Sequence, residues 1–82
     1  MKYKIGFIGT GVMGGALASA VRQKCESILL SNKTEEKAIR LADELGCCHA
    51  DNAAVASSCE YIVLAVKPQV MFSVLDEIRP VL

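Results

Sequence analysis

Three glycines near the start of the chain, Gly9, Gly11 and Gly14, form a G-x-G-x-x-G motif. The apolar run at residues 5–8 predicts a strand that leads into the motif, and the Ala-rich segment after it predicts a helix. In this setting the motif is typical of a turn that holds a pyrophosphate against the first turn of a helix. The motif therefore predicts an α/β fold that begins with a dinucleotide-binding strand, turn and helix. The alternative is a glycine-rich turn in an α/β core without a ligand.

The three glycines of the motif answer different steric demands. Gly9 allows a tight turn, Gly11 allows the backbone to approach a pyrophosphate, and Gly14 allows the helix to pack closely against the strand. The free N–H groups and the positive end of the helix dipole then face the phosphates. The apolar residues of this helix recur with a helical period, and we expect them to share one face: Val12, Met13, Ala16, Leu17, Ala20 and Val21.

Strands and helices are predicted to alternate along the rest of the chain. Further strands are expected at residues 28–32, 47–50 and 61–66. Because right-handed crossovers connect parallel strands, this alternation predicts a parallel sheet with the strand order 3-2-1-4. The predicted fold class is therefore α/β, a Rossmann-type dinucleotide-binding fold truncated to about four strands.

Local signals mark the ends of the predicted helices. Thr34 is expected to cap the second helix, and Gly46 to stop it in the left-handed conformation. Asp51 or Asn52 is expected to cap a short third helix. Pro68 suits the first position of a fourth helix.

The strand at residues 61–66 is the most apolar strand in the sequence, yet it lies at an edge of the predicted sheet. Soluble domains avoid exposed apolar edges, and a dinucleotide fold normally has about six strands. We therefore expect residues 1–82 to be an incomplete N-terminal dinucleotide-binding domain of a longer protein. The alternative is that another copy of the chain covers the edge.

Composition excludes several classes of function. Nine basic and nine acidic residues give a formal net charge of zero, so nothing in the sequence attracts nucleic acid or an anionic membrane. The four cysteines and His49 do not have the spacing of a zinc site. No apolar run is long enough to span a bilayer, and no secretory signal is recognised. We therefore expect a cytoplasmic protein without a bound metal.

The end of the predicted second strand is the position that selects the cofactor. In NAD-binding folds a carboxylate there binds the ribose hydroxyls, but this chain has Ser31, Asn32 and Lys33. Their hydroxyl, amide and ammonium groups suit a 2′-phosphate, which a carboxylate would repel. These residues favour NADP(H) over NAD(H), although Glu35 and Glu36 lie nearby. The alternative is an ordinary turn with a solvated lysine.

Four segments carry a resemblance to a known family. They are G-F-I-G-T-G-V-M-G-G-A at residues 6–16, S-N-K-T at residues 31–34, D-N at residues 51–52 and L-A-V-K-P-Q at residues 64–69, of which A-V-K-P-Q is the most specific. Together they resemble pyrroline-5-carboxylate reductase over essentially the whole chain. The first two segments are also similar to 3-hydroxyisobutyrate and 6-phosphogluconate dehydrogenases, which do not typically carry V-K-P-Q after the fourth strand. The resemblance covers only the front of the family's two-domain chain.

The resemblance implies an NADPH-dependent reduction of the small molecule 1-pyrroline-5-carboxylate to L-proline, a step of proline biosynthesis. It also implies a set of cofactor-binding residues in four groups. These are Ile8, Gly9, Thr10, Gly11, Val12, Met13 and Gly14 around the pyrophosphate; Ser31, Asn32 and Lys33 at the adenosine-ribose phosphate; Asn52 on the adenosine side; and Ala65, Val66, Lys67 and Pro68 along the crevice wall.

The family's substrate pocket is built largely by a C-terminal helical domain, which also forms its dimer. The resemblance therefore implies a homo-oligomeric parent protein, no catalytic residue within this chain and no reductase activity of the chain alone. Two alternatives stay open: a reductase similar to β-hydroxyacid dehydrogenases, and a nucleotide-binding module without turnover. Asn52 and Pro68 are also explained as a helix cap and a helix opener alone.

Overall fold

Strands and helices alternate along the whole chain in the computed structural model, which describes residues 2–82. The elements are β1 (Tyr3–Ile8), α1 (Val12–Arg22), β2 (Ile28–Ser31), α2 (Glu35–Leu45), β3 (Cys48–His49), α3 (Asn52–Ser58), β4 (Cys59–Leu64) and α4 (Pro68–Ile78), followed by a 3₁₀ turn (Arg79–Val81). All the strands pair in parallel, in the order β3-β2-β1-β4. The predicted α/β fold class and the predicted strand order are confirmed.

The sheet is covered on both faces, and each face has its own apolar cluster. Successive strand residues point to opposite faces, so Phe7 and Leu30 pack under α1 and α2, whereas Ile8 and Leu29 pack under α3 and α4. The chain moves from β1 through β2 to β3 at one edge of the sheet and then crosses back to β4 at the other edge. Because each crossover is right-handed, α1 and α2 lie on one face and α3 and α4 on the other.

Gly6 determines how closely α3 approaches the sheet. A Cβ atom at Gly6 would lie 2.5 Å from Val55 Cγ1 and 2.6 Å from Cys59 Sγ, and both of those side chains are buried. Burial in this contact raises the pKa of the Cys59 thiol. The middle of β1 therefore has no room for a side chain on the face that α3 covers.

Most of the apolar face predicted for α1 does not pack on the sheet, although Val21 contacts the apolar cluster of that side. Val12 is 95% exposed, Met13 is 74% exposed and Leu17 is 44% exposed, whereas the buried residues of α1 are Gly14 and Ala18. The physical reason is the short distance between α1 and β1, at which only small residues fit. The larger apolar side chains therefore lie on the outer side of the helix.

Helix ends follow the local signals closely. Gly46 adopts φ 69° directly after α2, and Pro68 is the first residue of α4, as predicted. Asp51 caps α3, since its side chain accepts a hydrogen bond of 2.8 Å from the N–H of Ala54. Thr34 precedes α2 as predicted, but its hydroxyl makes no capping hydrogen bond.

The fourth strand differs in its bounds from the predicted strand at residues 61–66. It begins at Cys59, which pairs with Tyr3, and it ends at Leu64. The N–H of Ala65 still donates to the carbonyl of Ile8 at 2.8 Å, but Ala65 and Val66 then turn toward α4 instead of extending the strand. Within residues 2–82, β4 is an edge strand as expected, and Tyr61 on it is 59% exposed. None of the helices that the structure describes has both the length and the apolar character needed to cross a bilayer.

We expect Gly6→Ala to reduce the free energy of unfolding by about 1–3 kcal/mol, because the added methyl group overpacks the contact with Val55 and Cys59. Urea unfolding followed by circular dichroism measures the change. Gly15→Ala is the matched control, since the nearest atom to its added methyl lies 3.8 Å away and alanine favours the helix by about 0.5–1 kcal/mol. Equal stability of the Gly6→Ala variant and the wild type would contradict the packing described for β1 and α3.

Candidate functional site

A cleft of about 920 Å³ opens at the carboxyl ends of the strands and is lined by residues of the loops after β1, β2 and β4. This is the position at which ligands bind in open α/β sheets. Nine of the predicted site residues line it: Ile8, Gly9, Gly11, Asn32, Lys33, Asn52, Ala65, Val66 and Lys67. The others, Thr10, Val12, Met13, Gly14, Ser31 and Pro68, lie beside the cleft or behind its wall. Thr10, Gly11 and Val12 also border a shallower groove of about 350 Å³ that faces α2.

The glycine turn is built around two backbone contacts that exclude side chains. Gly9 has φ 103°, and a Cβ atom there would collide with the carbonyl oxygen of Ala65. A Cβ atom at Gly14 would collide with the carbonyl oxygen of Gly9. This geometry agrees with the turning and packing roles predicted for these two glycines.

Gly11 differs from its two neighbours in the motif. It has an ordinary φ of −71°, and a Cβ atom built on it would meet no atom within 4 Å. Neither backbone strain nor contact within the protein therefore requires glycine at this position. The open space in front of Gly11 is what a closely approaching ligand needs, so this part of the turn fits a pyrophosphate.

The N–H groups of the turn divide into two sets. Gly9 donates to the carbonyl of Ser31 at 2.9 Å, and Thr10 donates to Asn32 Oδ1 at 2.9 Å. These two amides hold the end of β2 and are not free for phosphate. The first N–H of α1 that donates back along the helix is that of Gly15, to Gly11 at 2.7 Å.

The N–H groups of Val12, Met13 and Gly14 precede that first bond, so they have no carbonyl partner within the helix. They lie at the positive end of the helix dipole, where an anion is stabilised. The hydroxyl oxygen of Thr10 beside them is buried and has no hydrogen-bond partner among residues 2–82. A buried polar atom without a partner is costly, and a ligand oxygen close by would relieve that cost. The anion-binding capacity of the turn therefore lies in the start of α1.

Of the three residues predicted to select the cofactor, Lys33 is the one whose side chain makes no hydrogen bond or ion pair within residues 2–82. Ser31 is 1% exposed, and its hydroxyl donates to Asn52 Oδ1 at 2.6 Å. Asn32 accepts from Thr10 through Oδ1 and donates through Nδ2 to the carbonyl of Thr34 at 3.1 Å. Ser31 and Asn32 thus shape the end of β2, and Lys33 extends into the cleft.

Several residues that sequence reasoning did not select also line the cleft. They are Glu35, His49, Ala50, Asp51, Val70, Ser73, Val74 and Glu77. Four of them share one face of α4, as their helical spacing shows: Val70, Ser73, Val74 and Glu77. The polar residues beside the apolar stripe of α4 could therefore have been predicted to line the cleft. Glu77 also accepts a hydrogen bond of 3.0 Å from Asn52 Nδ2.

The cleft carries charges of both signs. Lys33 and Lys67 line it together with Glu35, Asp51 and Glu77. In the described part of the chain, no group of three or more His, Cys, Asp or Glu side chains is arranged to hold a metal ion. The charged side chains alone therefore do not give the cleft an anion preference, and the start of α1 is the part that favours an anion.

We expect Asn32→Ala to destabilise the chain by about 1–2 kcal/mol, because the Thr10 N–H loses its acceptor. Lys33→Ala, one residue away, should leave the stability within about 0.5 kcal/mol of the wild type, since surface substitutions of this kind have small effects. Thermal unfolding of the two variants checks this difference. If both variants melt with the wild type, Asn32 does not tie the glycine turn to β2.

Comparison with known proteins finds a family model and several reductases to which the chain is similar. Residues 4–82 match the family model described as NADP oxidoreductase, coenzyme F420-dependent. Pyrroline-5-carboxylate reductase 3 of Xenopus laevis is 35% identical over an alignment of 81 positions, which covers 93% of this chain and 29% of the relative. Pyrroline-5-carboxylate reductase of Escherichia coli strain K12 is 37% identical over an alignment of 83 positions, which covers 95% of this chain and 31% of the relative. The chain spans about three tenths of the length of these relatives.

One solved structure shares the fold. Glutamyl-tRNA reductase from Methanopyrus kandleri superposes with a TM-score of 0.66 at 20% sequence identity, over 94% of this chain and 22% of that chain. At this identity the likeness shows the fold alone. The resemblance to pyrroline-5-carboxylate reductases is confirmed by the curated relatives, and the family description agrees with the predicted cofactor, NADP(H).

Proposed function

Since the chain belongs to the family described as NADP oxidoreductase, coenzyme F420-dependent, we propose that it supplies the cofactor-binding part of an enzyme that reduces 1-pyrroline-5-carboxylate to L-proline with NADPH. Curated relatives of 35% and 37% identity carry the name pyrroline-5-carboxylate reductase. In this proposal residues 1–82 are the N-terminal dinucleotide-binding part, and a further helical domain completes the substrate pocket and the oligomer.

The observation that carries the proposal is the combination of open space at Gly11 with unpartnered N–H groups at the start of α1. The pyrophosphate of the cofactor accepts hydrogen bonds from the N–H groups of Val12, Met13 and Gly14. NADPH supplies the hydride for the carbon of the cyclic C=N bond when it is bound. This chain binds and orients the cofactor, and we assign it no catalytic residue.

Lys33 holds the 2′-phosphate that distinguishes NADPH from NADH. Its ammonium group is exposed at the end of β2, whereas the neighbouring Ser31 and Asn32 are occupied by internal hydrogen bonds. The walls formed by Ala65 and Val66 face the same cleft from the other side. The adenosine half of the cofactor therefore lies toward β2 and the nicotinamide half toward the loop after β4.

We expect NADPH to bind at least about tenfold more tightly than NADH, a difference of about 1.4 kcal/mol, and Lys33→Asp to abolish that preference. A carboxylate repels the 2′-phosphate and accepts hydrogen bonds from ribose hydroxyls. Calorimetric titration with each nucleotide measures both affinities. Lys24→Asp makes the same change of charge at an exposed position outside the cleft and should leave the preference intact. Equal affinities of the wild type for the two nucleotides would refute the role of Lys33.

We expect Gly11→Ala to weaken NADPH binding by about tenfold or more while it changes the free energy of unfolding by less than about 0.5 kcal/mol. The added methyl group meets no protein atom within 4 Å, so any effect must come from the space that it takes from a ligand. Calorimetry and thermal unfolding of the same sample separate the two quantities. Unchanged NADPH affinity would show that the pyrophosphate does not approach this turn.

A further inference from the structure

A chain of side-chain hydrogen bonds crosses the wall of the cleft. Ser31 at the end of β2 donates to Asn52 Oδ1 at 2.6 Å, and Asn52 Nδ2 donates to Glu77 Oε1 at 3.0 Å. The three residues lie on β2, α3 and α4, and Asn52 and Glu77 both line the cleft. The chain of bonds therefore joins three elements at the candidate binding surface.

The chemistry of the two outer residues determines which way the amide of Asn52 points. An ionised carboxylate only accepts hydrogen bonds, so Glu77 requires the NH₂ group of Asn52 to face it. The opposite orientation would place Asn52 Oδ1 against the Glu77 oxygen with no proton between them. The Ser31 hydroxyl can donate or accept and follows whichever orientation Glu77 imposes.

We infer that Glu77 is a positioning residue that fixes the orientation of the Asn52 amide, so that the second N–H of Asn52 is presented to an acceptor atom of the bound nucleotide. Glu77 takes one of the two Nδ2 protons, and the part of the chain that the structure describes offers no acceptor for the other. This inference rests on the proposed function, because the acceptor belongs to the cofactor.

The packing of α4 holds Glu77 in place for this role. Its neighbours Val74 and Ile78 are 9% and 2% exposed and contact the apolar cluster between α3, α4 and the sheet. Glu77 lies on the turn between these two anchors. The backbone at Glu77 is therefore held by the core, and its exposed side chain reaches Asn52 from that fixed position.

The test compares a truncation with an exchange of groups. Glu77→Ala removes the acceptor, and NADPH affinity should fall about fivefold. The double variant Asn52→Asp with Glu77→Gln reverses the donor and the acceptor, because the carboxylate at position 52 accepts from both the Ser31 hydroxyl and the amide at position 77. It keeps the pair at a total charge of −1 and restores the hydrogen bonds, but no N–H remains on the side chain at position 52 for the nucleotide. Asp43→Ala, which removes an exposed carboxylate of α2 outside the cleft, is the control.

NADPH affinity is measured by calorimetry and stability by thermal unfolding for every variant. The NMR shifts of the Asn52 side-chain NH₂ group are measured for the wild type and for the variants that keep Asn52. We expect Glu77→Ala to shift the Asn52 resonances and weaken binding, and the double variant to melt with the wild type and still bind weakly. The inference is overturned if Glu77→Ala binds NADPH like the wild type, or if the double variant regains affinity together with its stability. A wild-type chain that is folded but does not bind NADPH overturns the proposed function, and the inference with it.

Discussion

The rest of the structure depends on a contact between backbones at the start of α1, where the loops after β1 and β4 meet. A side chain at Gly9 would collide with the carbonyl of Ala65, and one at Gly14 with the carbonyl of Gly9. Since only hydrogen atoms fit there, the first turn of α1 lies directly against the glycine turn and the loop after β4. Val12 and Met13 in the same turn are exposed. The position of the first N–H groups of α1 thus follows from the two glycines.

The end of β2 belongs to the same rigid unit. Gly9 and Thr10 donate to Ser31 and Asn32, so the glycine turn and the position predicted to select the cofactor are joined by two hydrogen bonds of 2.9 Å. A change at either segment therefore moves the other. The cost of ordering this turn is met within the protein before a ligand arrives, and such preorganisation is a general source of affinity.

Features that depend on one residue's own conformation could be predicted from the sequence. Gly46 requires a left-handed φ and Pro68 suits a helix start, so both were assigned correctly. The prediction of which face of α1 is buried was wrong for most of its residues. The periodicity of apolar residues carries no information on how closely a helix approaches the sheet. Similarly, Glu77 was not selected for the site, because its partner Asn52 lies 25 residues earlier and the contact exists only after α4 has folded against α3. The strand β4 begins two residues before the predicted start, and its first residue, Cys59, packs against Gly6. The apolar run from which the strand was predicted does not reveal this contact.

The acidic residues of the cleft are compatible with an anionic cofactor because of where each is used. Asp51 is committed to capping α3, and Glu77 to holding Asn52. Both lie on the α3 and α4 side, and the third acidic residue, Glu35, lies in the first turn of α2. The N–H groups without a helical partner lie instead at the start of α1. Charges a Debye length apart, about 8 Å at physiological ionic strength, are largely screened from one another when solvent lies between them. In the proposed function, a phosphate at the start of α1 would meet backbone N–H groups directly, whereas solvent in the open cleft would screen its repulsion from the carboxylates.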